Sequence, residues 1–224
     1  FKGDSVLAGH NLGNLFLAAI AATEGGMEEG LNAASQILKI RGHVIPSTLS
    51  NIQIRADMAD GTSVLGESEI SNAGKQIVRL HMVPADAPAT KSAVQAIRDA
   101  DIVVIGPGSL YTSIIPNFLV SGISDAVRQS RACKIYALNI MTQDGETDGY
   151  DADDHVRAIL EHAGPGVIDV CIANSTPVPP EIMEPAKEGV AQLELNRTDI
   201  EQLGIAVRTF PLLEPGRYLS LIHI

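Results

Sequence analysis

The chain has 224 residues, of which 45% are hydrophobic and 19% are charged, a composition typical of a globular protein rather than a disordered one. Its formal net charge of −11 excludes a surface for nucleic acid or anionic membranes, because such a surface needs basic residues to neutralise phosphates. Aromatic residues make up 4% of the chain and Trp is absent, so aliphatic side chains must build the core.

Both cysteines, Cys133 and Cys171, lie in apolar, strand-like stretches and have no CxxC partner. We therefore expect two buried free thiols in a reducing compartment. No apolar run reaches the length of a transmembrane helix and no signal-peptide pattern is present, so a cytoplasmic location is predicted.

The first part of the chain predicts two helices followed by a small antiparallel unit. Apolar residues recur at helical spacing over residues 12–22 and again over 28–40. The period then changes to alternation, and three strands are predicted over residues 52–58, 63–70 and 76–82. Asp60-Gly61 supplies a type I′ turn signal between the first two strands. These strands are expected to form an antiparallel excursion over about residues 50–84.

From residue 89 onward, amphipathic helices alternate with strands that are apolar throughout. The helices are predicted over residues 89–100, 116–130 and 153–163, followed by a short acidic helix capped by Thr198. The strands are predicted over residues 102–105, 134–139, 167–173, 190–195 and 205–210. Apolar strands that alternate with helices imply a parallel sheet buried on both faces.

The predicted fold class is therefore α/β. We expect a Rossmann-like, doubly wound and mostly parallel sheet with the small antiparallel excursion, in a single domain over residues 1–211. Residues 212–224, which end in "RYLSLIHI", form an atypical apolar tail outside this pattern.

Three polar, glycine-containing segments lie where open parallel sheets bind ligands, near the carboxyl ends of strands and the N-termini of helices. The first is residues 9–14, "GHNLGN", directly before the first predicted helix. His10 and Asn11 could contact a ligand there, or Asn11 could serve only as the helix cap.

The second segment is residues 106–113, "GPGSLYTS", directly after an apolar strand. Its amides and hydroxyls could cradle a phosphate, or the segment could be a plain strand-to-helix turn. It matches neither the Walker loop nor the GxGxxG fingerprint. Ser109 is not expected to be a nucleophile, because it lacks the G-x-S-x-G elbow and a paired base.

The third segment is residues 139–150, "NIMTQDGETDGY", which follows the next strand. Glu146 and Asp148 could hold a metal, orient sugar hydroxyls or simply be solvated. Metal binding would have to use oxygen ligands only, in Mg-like chemistry shared with substrate phosphates. His155 and His162 are seven residues apart on one predicted helix and are expected to form a surface face.

The motifs "GHNLGN", "DGTSVLGESEIS", "ADIVVIGPGSLYTSIIPNFLV" and "NIMTQDGETDGYDADDHV", in this order, resemble the YvcK branch of the YvcK/CofD-like family over about residues 1–211. The resemblance implies a Rossmann-like fold with a nucleotide-derived ligand at the strand carboxyl ends. It also implies a bacterial regulatory protein that binds a nucleotide sugar, typically UDP-N-acetylglucosamine, and performs no chemistry of its own. Such a protein supports gluconeogenic growth, cell shape and cell-wall synthesis.

The resemblance also implies the residues of the ligand site. Loop 106–113 would approach the diphosphate, the first segment would contact the ligand beside it, and the third would close over the sugar or base. The implied ligand-binding residues are His10, Asn11, Asn14, Gly106, Gly108, Ser109, Tyr111, Thr112, Ser113, Asn139, Thr142, Gln143 and Glu146. No catalytic residue, metal ligand or certain cofactor is implied, and further partners would be a second copy or a regulatory protein.

The family pattern begins with a strand and a GGGTG loop, neither of which this sequence contains. The first βα unit, which carries part of the nucleotide pocket, is therefore expected upstream of Phe1.

The CofD branch of the same family implies an enzyme instead. Its members move a phospholactyl group from a guanosine-linked donor to a deazaflavin hydroxyl, and Mg²⁺ would bridge phosphates through acids such as Glu146. The sequence "GPGSLYTS" is the YvcK-like form of the loop and favours the binding branch. A pure interaction scaffold with vestigial sugar binding is the third hypothesis.

Overall fold

The computed structural model of the protein describes residues 12–179 and 190–213. The helices are α1 Leu12–Glu24, α2 Met27–Ile37, α3 Glu67–Asn72, α4 Lys91–Asp99, α5 Ile115–Leu119, α6 Ile123–Gln129, α7 Ala152–Ala163 and α8 Arg197–Gln202. The strands are β1 Gln53–Met58, β2 Ser63–Leu65, β3 Ile77–Val83, β4 Ile102–Ile105, β5 Cys133–Ala137, β6 Val170–Asn174 and β7 Ala206–Phe210. A π-helical turn, Leu110–Ile114, leads directly into α5.

The strands form two sheets of opposite character. Strands β4, β5, β6 and β7 are hydrogen-bonded in that order, and all three pairs are parallel. Strands β2, β1 and β3 form a small antiparallel sheet. The predicted α/β class with an antiparallel excursion is confirmed. Within the described ranges, no helix has the length and apolar character needed to cross a membrane.

One apolar core joins the two sheets. Side chains alternate along β1, so Ile54, Ala56 and Met58 are buried while their neighbours are exposed or half-buried. In the parallel sheet, Tyr136 and Cys171 are fully buried opposite each other on β5 and β6. All five residues belong to the same cluster of packed apolar side chains. The antiparallel unit is therefore held by the same hydrophobic burial as the parallel sheet.

The predicted strand over residues 63–70 is wrong beyond Leu65. Gly66 has a φ of +102° and its N–H donates to the Ile54 carbonyl at 2.8 Å, which ends the pairing of β2 with β1. The chain then turns into α3, which buries Ile70 completely. A glycine that adopts a left-handed backbone at no steric cost makes this change of direction possible.

The predicted continuous helix over residues 116–130 is also wrong. Pro116 lies in the first turn of α5, as expected, but Gly122 has a φ of +100° and separates α5 from α6. Ser121 donates its N–H to the Ala87 carbonyl at 2.9 Å and accepts the Ala89 N–H at 3.0 Å. A helix cannot continue through a residue whose backbone groups bond to another segment, so the two helices are separate.

The region before β7 departs from the predicted strand and helix cap. Residues 190–195 form only an isolated bridge, in which Gln192 pairs with Met141. Helix α8 begins after Asn196, so Thr198 is inside the helix rather than its cap. The Asn196 side chain donates to Asp151 Oδ2 at 2.8 Å instead of capping α8. The other predicted helices and strands agree with the structure to within a few residues. The turn at Asp60-Gly61 is not the predicted type I′, because Gly61 has a positive φ of +83° and Asp60 does not.

The two histidines of α7 do not form a surface face. His155 is 0% exposed, and its Nδ1 donates to the Asp151 carbonyl at 3.0 Å. His162 is half-buried, and its Nε2 accepts the Leu80 N–H at 2.9 Å. Helix α7 packs against the core on this side, and His162 ties it to β3 of the antiparallel sheet. The prediction failed because it took histidine as polar and ignored the neighbouring sheet.

The two cysteines differ in their exposure to solvent. Cys171 is buried and free, as expected, and burial raises the pKa of its thiol to about 12. Cys133 is free but exposed, at the first position of β5. The prediction of two buried thiols is therefore half wrong, because the ends of a buried strand still reach the surface.

Candidate functional site

A cavity of about 780 Å³, called the main cavity below, lies at the carboxyl end of β4. Loop 106–109 and the π-helical turn form one side of it. Ser71 of α3 lines it from the antiparallel unit, and Gln143 and Glu146 line it from the loop after β5. This is the end of a parallel sheet at which ligands bind in doubly wound folds.

The glycines of loop 106–109 allow a close approach to the neighbouring strand. Gly106 has a φ of +76°, and a Cβ at this position would lie 3.2 Å from the Ala137 carbonyl and from Ile114 Cδ1. Asn139 fixes Gly108 by two hydrogen bonds: its Oδ1 accepts the Gly108 N–H at 3.3 Å and its Nδ2 donates to the Gly108 carbonyl at 2.8 Å. The ends of β4 and β5 are thereby joined at the site.

Two hydroxyls of the loop point at a carboxylate. Ser109 caps the π-helical turn, and its Oγ accepts the Thr112 N–H at 3.4 Å. The same Oγ donates to Glu146 Oε2 at 2.5 Å, while Thr112 Oγ1 donates to Glu146 Oε1 at 3.0 Å. The two hydroxyl oxygens are 2.5 Å apart.

Two more donors complete the surroundings of this carboxylate. Ser71 Oγ and Gln143 Nε2 donate to Glu146 Oε1 at 3.2 and 3.0 Å. We call these five residues the Glu146 cluster: Ser71, Ser109, Thr112, Gln143 and Glu146. Glu146 is only 2% exposed, so the solvated alternative does not hold for it. Asp148 is exposed and accepts the Gly145 N–H at 2.9 Å.

The structure brings together about half of the site residues expected from the sequence. Those that line the main cavity are Gly106, Gly108, Ser109, Thr112, Ser113, Gln143 and Glu146. His10 and Asn11 lie outside the described residues. Asn14 is in α1, and its side chain is likewise not described.

Two further expected residues line only a second cavity, of about 290 Å³, at the ends of β5 and β6, called the side cavity. They are Asn139 and Thr142, whose Oγ1 accepts the Ala191 N–H at 2.8 Å. The other walls are mostly aliphatic, formed by Ala137, Leu138, Ile140, Met141, Ile172 and Leu212. Pro107, Gly108 and Gln143 line both cavities, so the two are adjacent.

Tyr111 lies away from both of these cavities. It is almost fully buried, and its hydroxyl is 2.8 Å from that of Tyr150. Burial and this hydrogen bond raise the pKa of Tyr111, so the phenol stays protonated. Its position supports packing between the π-helical turn and α7 rather than ligand contact.

Sequence reasoning missed Ser71. The residue directly follows residues 63–70, which were predicted as a strand, and the local sign of a different structure in that stretch was Gly66. Its role depends on a contact with Glu146, 75 residues away in the chain. A cluster of this kind has no local sequence signal.

A group of three carboxylates, from Asp151, Asp153 and Asp154, lies at the N-terminus of α7. Asp151 accepts the Asp154 N–H at 3.2 Å, and Asp154 accepts the Asp151 N–H at 3.1 Å, which is a capping box. Burial, together with the hydrogen bond that the protonated Asp151 carboxyl donates to Asp153, raises the pKa of Asp151 to about 6. The helix cap explains these acids without a bound metal.

The sequence profile of the family described as 2-phospho-L-lactate transferase CofD matches residues 1–213. The chain is 42% identical over 206 residues to a gluconeogenesis factor of Halalkalibacterium halodurans, across 92% of this chain and 64% of that protein. It is 43% identical over 205 residues to the gluconeogenesis factor of Listeria monocytogenes, across 92% of this chain and 63% of that protein. The chain thus spans less than two-thirds of the length of these curated relatives.

The fold is also similar to a solved structure. A crystal structure of a UPF0052-family protein from Bacillus halodurans matches with a TM-score of 0.88 and 41% identity, across 92% of this chain and 68% of that chain.

Proposed function

The chain belongs to the CofD family, and from this premise we propose that it forms the nucleotide-sugar-binding part of a bacterial gluconeogenesis factor. The ligand is a UDP-sugar of the UDP-N-acetylglucosamine type. The protein acts in the cytoplasm as a regulator that supports gluconeogenic growth, cell shape and cell-wall synthesis.

The buried carboxylate of Glu146 in the wall of the main cavity is the observation that supports this proposal most directly. A buried carboxylate is costly unless hydrogen bonds compensate for the lost hydration, and here four neutral donors do so. Polar groups that converge in one wall of an otherwise largely apolar cavity are typical of small-molecule sites. The volume of about 780 Å³ is in the range of about 300–1,000 Å³ found for such sites.

Isothermal titration with UDP-N-acetylglucosamine tests the proposal. We expect saturable heat with the wild-type protein and roughly two- to tenfold weaker binding for Ser109→Ala, the effect of one hydrogen bond. Ser63→Ala is the matched control, because its hydroxyl also donates to a carboxylate, Asp57 Oδ1 at 2.8 Å, and neither residue lines the main cavity. Absence of heat at millimolar ligand would contradict the proposal.

A second candidate function follows from the profile match over residues 1–213. A transferase of the CofD type would move a phosphate-linked group from a nucleotide donor to an alcohol, with Mg²⁺ bridging the phosphates through Glu146. Release of nucleotide from a guanosine-linked donor, dependent on Mg²⁺ and an alcohol acceptor, distinguishes this enzyme from a binding protein.

A further inference from the structure

The hydroxyl protons of Ser109 and Thr112 are used inside the Glu146 cluster. Each hydroxyl contacts one carboxylate oxygen of Glu146, at 2.5 and 3.0 Å, and the two hydroxyl oxygens are 2.5 Å from each other. Each hydroxyl carries one proton, and the three contacts have only these two protons to share. Both protons are therefore used within the cluster, whichever two contacts they occupy. Neither hydroxyl has a proton left for a ligand in the main cavity.

The same oxygens keep the capacity to accept hydrogen bonds. A hydroxyl oxygen has two lone pairs, and the Thr112 N–H occupies only one of those on Ser109 Oγ. The carboxylate of Glu146 has about four lone-pair sites, and the four donors of the cluster already occupy them. Ser109, Thr112 and Glu146 all line the main cavity. This part of the wall is therefore an accepting surface, which suits groups that carry protons, such as sugar hydroxyls and an amide N–H.

A phosphate group has no suitable partner on this surface. Phosphate oxygens are acceptors and are bound by N–H or O–H donors and by basic side chains. Among the described residues that line the main cavity there is no Lys, Arg or His, while Glu67 and Glu146 are carboxylates. The charge at this wall therefore disfavours the phosphates of a nucleotide.

Several backbone amides beside the surface are also engaged. The Gly108 N–H donates to Asn139 Oδ1 at 3.3 Å, and the N–H groups of Ser113 and Ile114 donate to the Ser109 carbonyl at 3.0 and 2.9 Å. A phosphate at this wall would have to break these bonds to use these three amides.

We propose that the sugar end of the nucleotide sugar, rather than its diphosphate, binds against Ser109, Thr112 and Glu146. The hydroxyl and amide groups of the sugar donate to the Ser109 and Thr112 oxygens, and the carboxylate of Glu146 behind them selects the sugar over a terminal phosphate. This inference rests on the proposed function and reverses the orientation that the sequence pattern of the GPGS loop suggests.

Ser71 and Gln143 are positioning residues in this arrangement. Both donate to Glu146 Oε1, on the side that also receives the Thr112 hydroxyl. Ser71 comes from α3, so the antiparallel unit takes part in orienting the carboxylate. Its loss is expected to affect ligand binding only through Glu146.

A comparison of two ligands on two proteins tests the inference. UDP-N-acetylglucosamine and UDP are titrated into the wild-type protein and into Glu146→Gln by calorimetry. We expect the wild-type protein to bind the sugar nucleotide about tenfold more tightly than UDP, the effect of one or two hydrogen bonds to neutral acceptors. In Glu146→Gln, the sugar nucleotide should bind more weakly and UDP more tightly, since an amide can donate to phosphate and carries no charge.

Glu69→Gln is the matched control, because Glu69 is exposed on α3 and does not line the main cavity. It should leave the ratio of the two affinities unchanged. If Glu146→Gln fails to fold, as judged by circular dichroism, the pair of ligands is compared on Thr112→Val, which removes one acceptor and should also lower the ratio.

The outcomes separate the inference from the proposed function. A ratio that falls in Glu146→Gln or Thr112→Val and is kept in Glu69→Gln supports the inference. Equal binding of both ligands to the wild-type protein, or an equal loss of both in the variants, overturns the inference and leaves nucleotide-sugar binding intact. If neither ligand binds the wild-type protein, both proposals are overturned.

Discussion

Burying Glu146 costs stability, and we propose that its carboxylate is kept because it takes part in ligand binding. Its carboxylate is buried in a wall that contains no basic side chain among the described lining residues, so neutral donors alone compensate for its lost hydration. Each of these hydrogen bonds contributes only about 1.5–3 kcal/mol, whereas an unpaired buried charge would cost more. A chain under selection for stability alone would place an apolar residue here, so we attribute the carboxylate to ligand binding.

The two histidines of α7 predict that the folded protein loses stability at acid pH. Burial lowers the pKa of His155 and His162, and Arg79 and His81 lower that of His162 further, against the opposing effect of Glu161. The unfolded chain then takes up protons near pH 6.5 that the folded chain resists. The free energy of unfolding should therefore fall as the pH decreases from about 7 to below 6, which urea denaturation at several pH values measures.

His162→Gln should flatten this pH dependence, because glutamine does not titrate and its carbonyl can still accept the Leu80 N–H. His43→Gln is the control, since His43 is exposed and should not change the slope. Asp151 acts in the opposite direction, because a pKa raised to about 6 favours its protonated form in the folded state. The same slope in the wild-type protein and His162→Gln would contradict the prediction.

At the scale of elements, the loop after β5 and helix α3 are in direct contact. Gly145 has a φ of +79°, and a Cβ at this position would lie 2.6 Å from the Ser71 carbonyl oxygen. The next residue is Glu146, whose carboxylate accepts the Ser71 hydroxyl. The packing of a helix of the antiparallel unit against this loop therefore sets the geometry of the Glu146 cluster.

Gly145→Ala should consequently lower the free energy of unfolding more than the usual substitution of a glycine with a positive φ. Gly149→Ala is the matched comparison, because Gly149 has a φ of +72° and nothing within 4 Å of its added Cβ. Gly149→Ala should cost about 1 kcal/mol through its backbone alone, and Gly145→Ala about 2–4 kcal/mol because the loop must also move. Urea denaturation measures both values, and equal losses would show that the contact with Ser71 does not matter.

At the scale of the whole molecule, strand β4 leaves an apolar edge. It pairs with β5 on one side, and no partner is found on its other side among the described residues. Ile102 and Val104 are 57% and 59% exposed. Free apolar strand edges promote association with other chains.

The 224-residue chain by itself should therefore self-associate, and Val104→Lys should shift it toward the monomer. Leu38→Lys is the control, since Leu38 is also 59% exposed but is not part of a strand. Sedimentation velocity at several protein concentrations measures the association. A wild-type chain that stays monomeric over the whole range would contradict the prediction.

The sequence by itself determined the class of fold and indicated the segments that line the candidate site. Residues 102–105 were assigned to a strand with the bounds observed for β4, because four apolar residues between a helix and Gly-Pro-Gly form a local pattern. Glycine-rich segments after β4 and β5 likewise identified the walls of the main cavity. Periodicity and turn residues act over a few positions, so they can be read directly from the chain.

Only the tertiary structure decided which hydrogen bonds the residues of these walls make. Ser71 meets Glu146 across 75 residues, and the Leu80 N–H meets His162 across 82. The direction in which the Ser109 hydroxyl donates also depends on a carboxylate 37 residues away. Burial and hydrogen-bond partners are set by which distant segments pack together, so a hydroxyl that the sequence suggested for phosphate donates, in the fold, to a buried carboxylate.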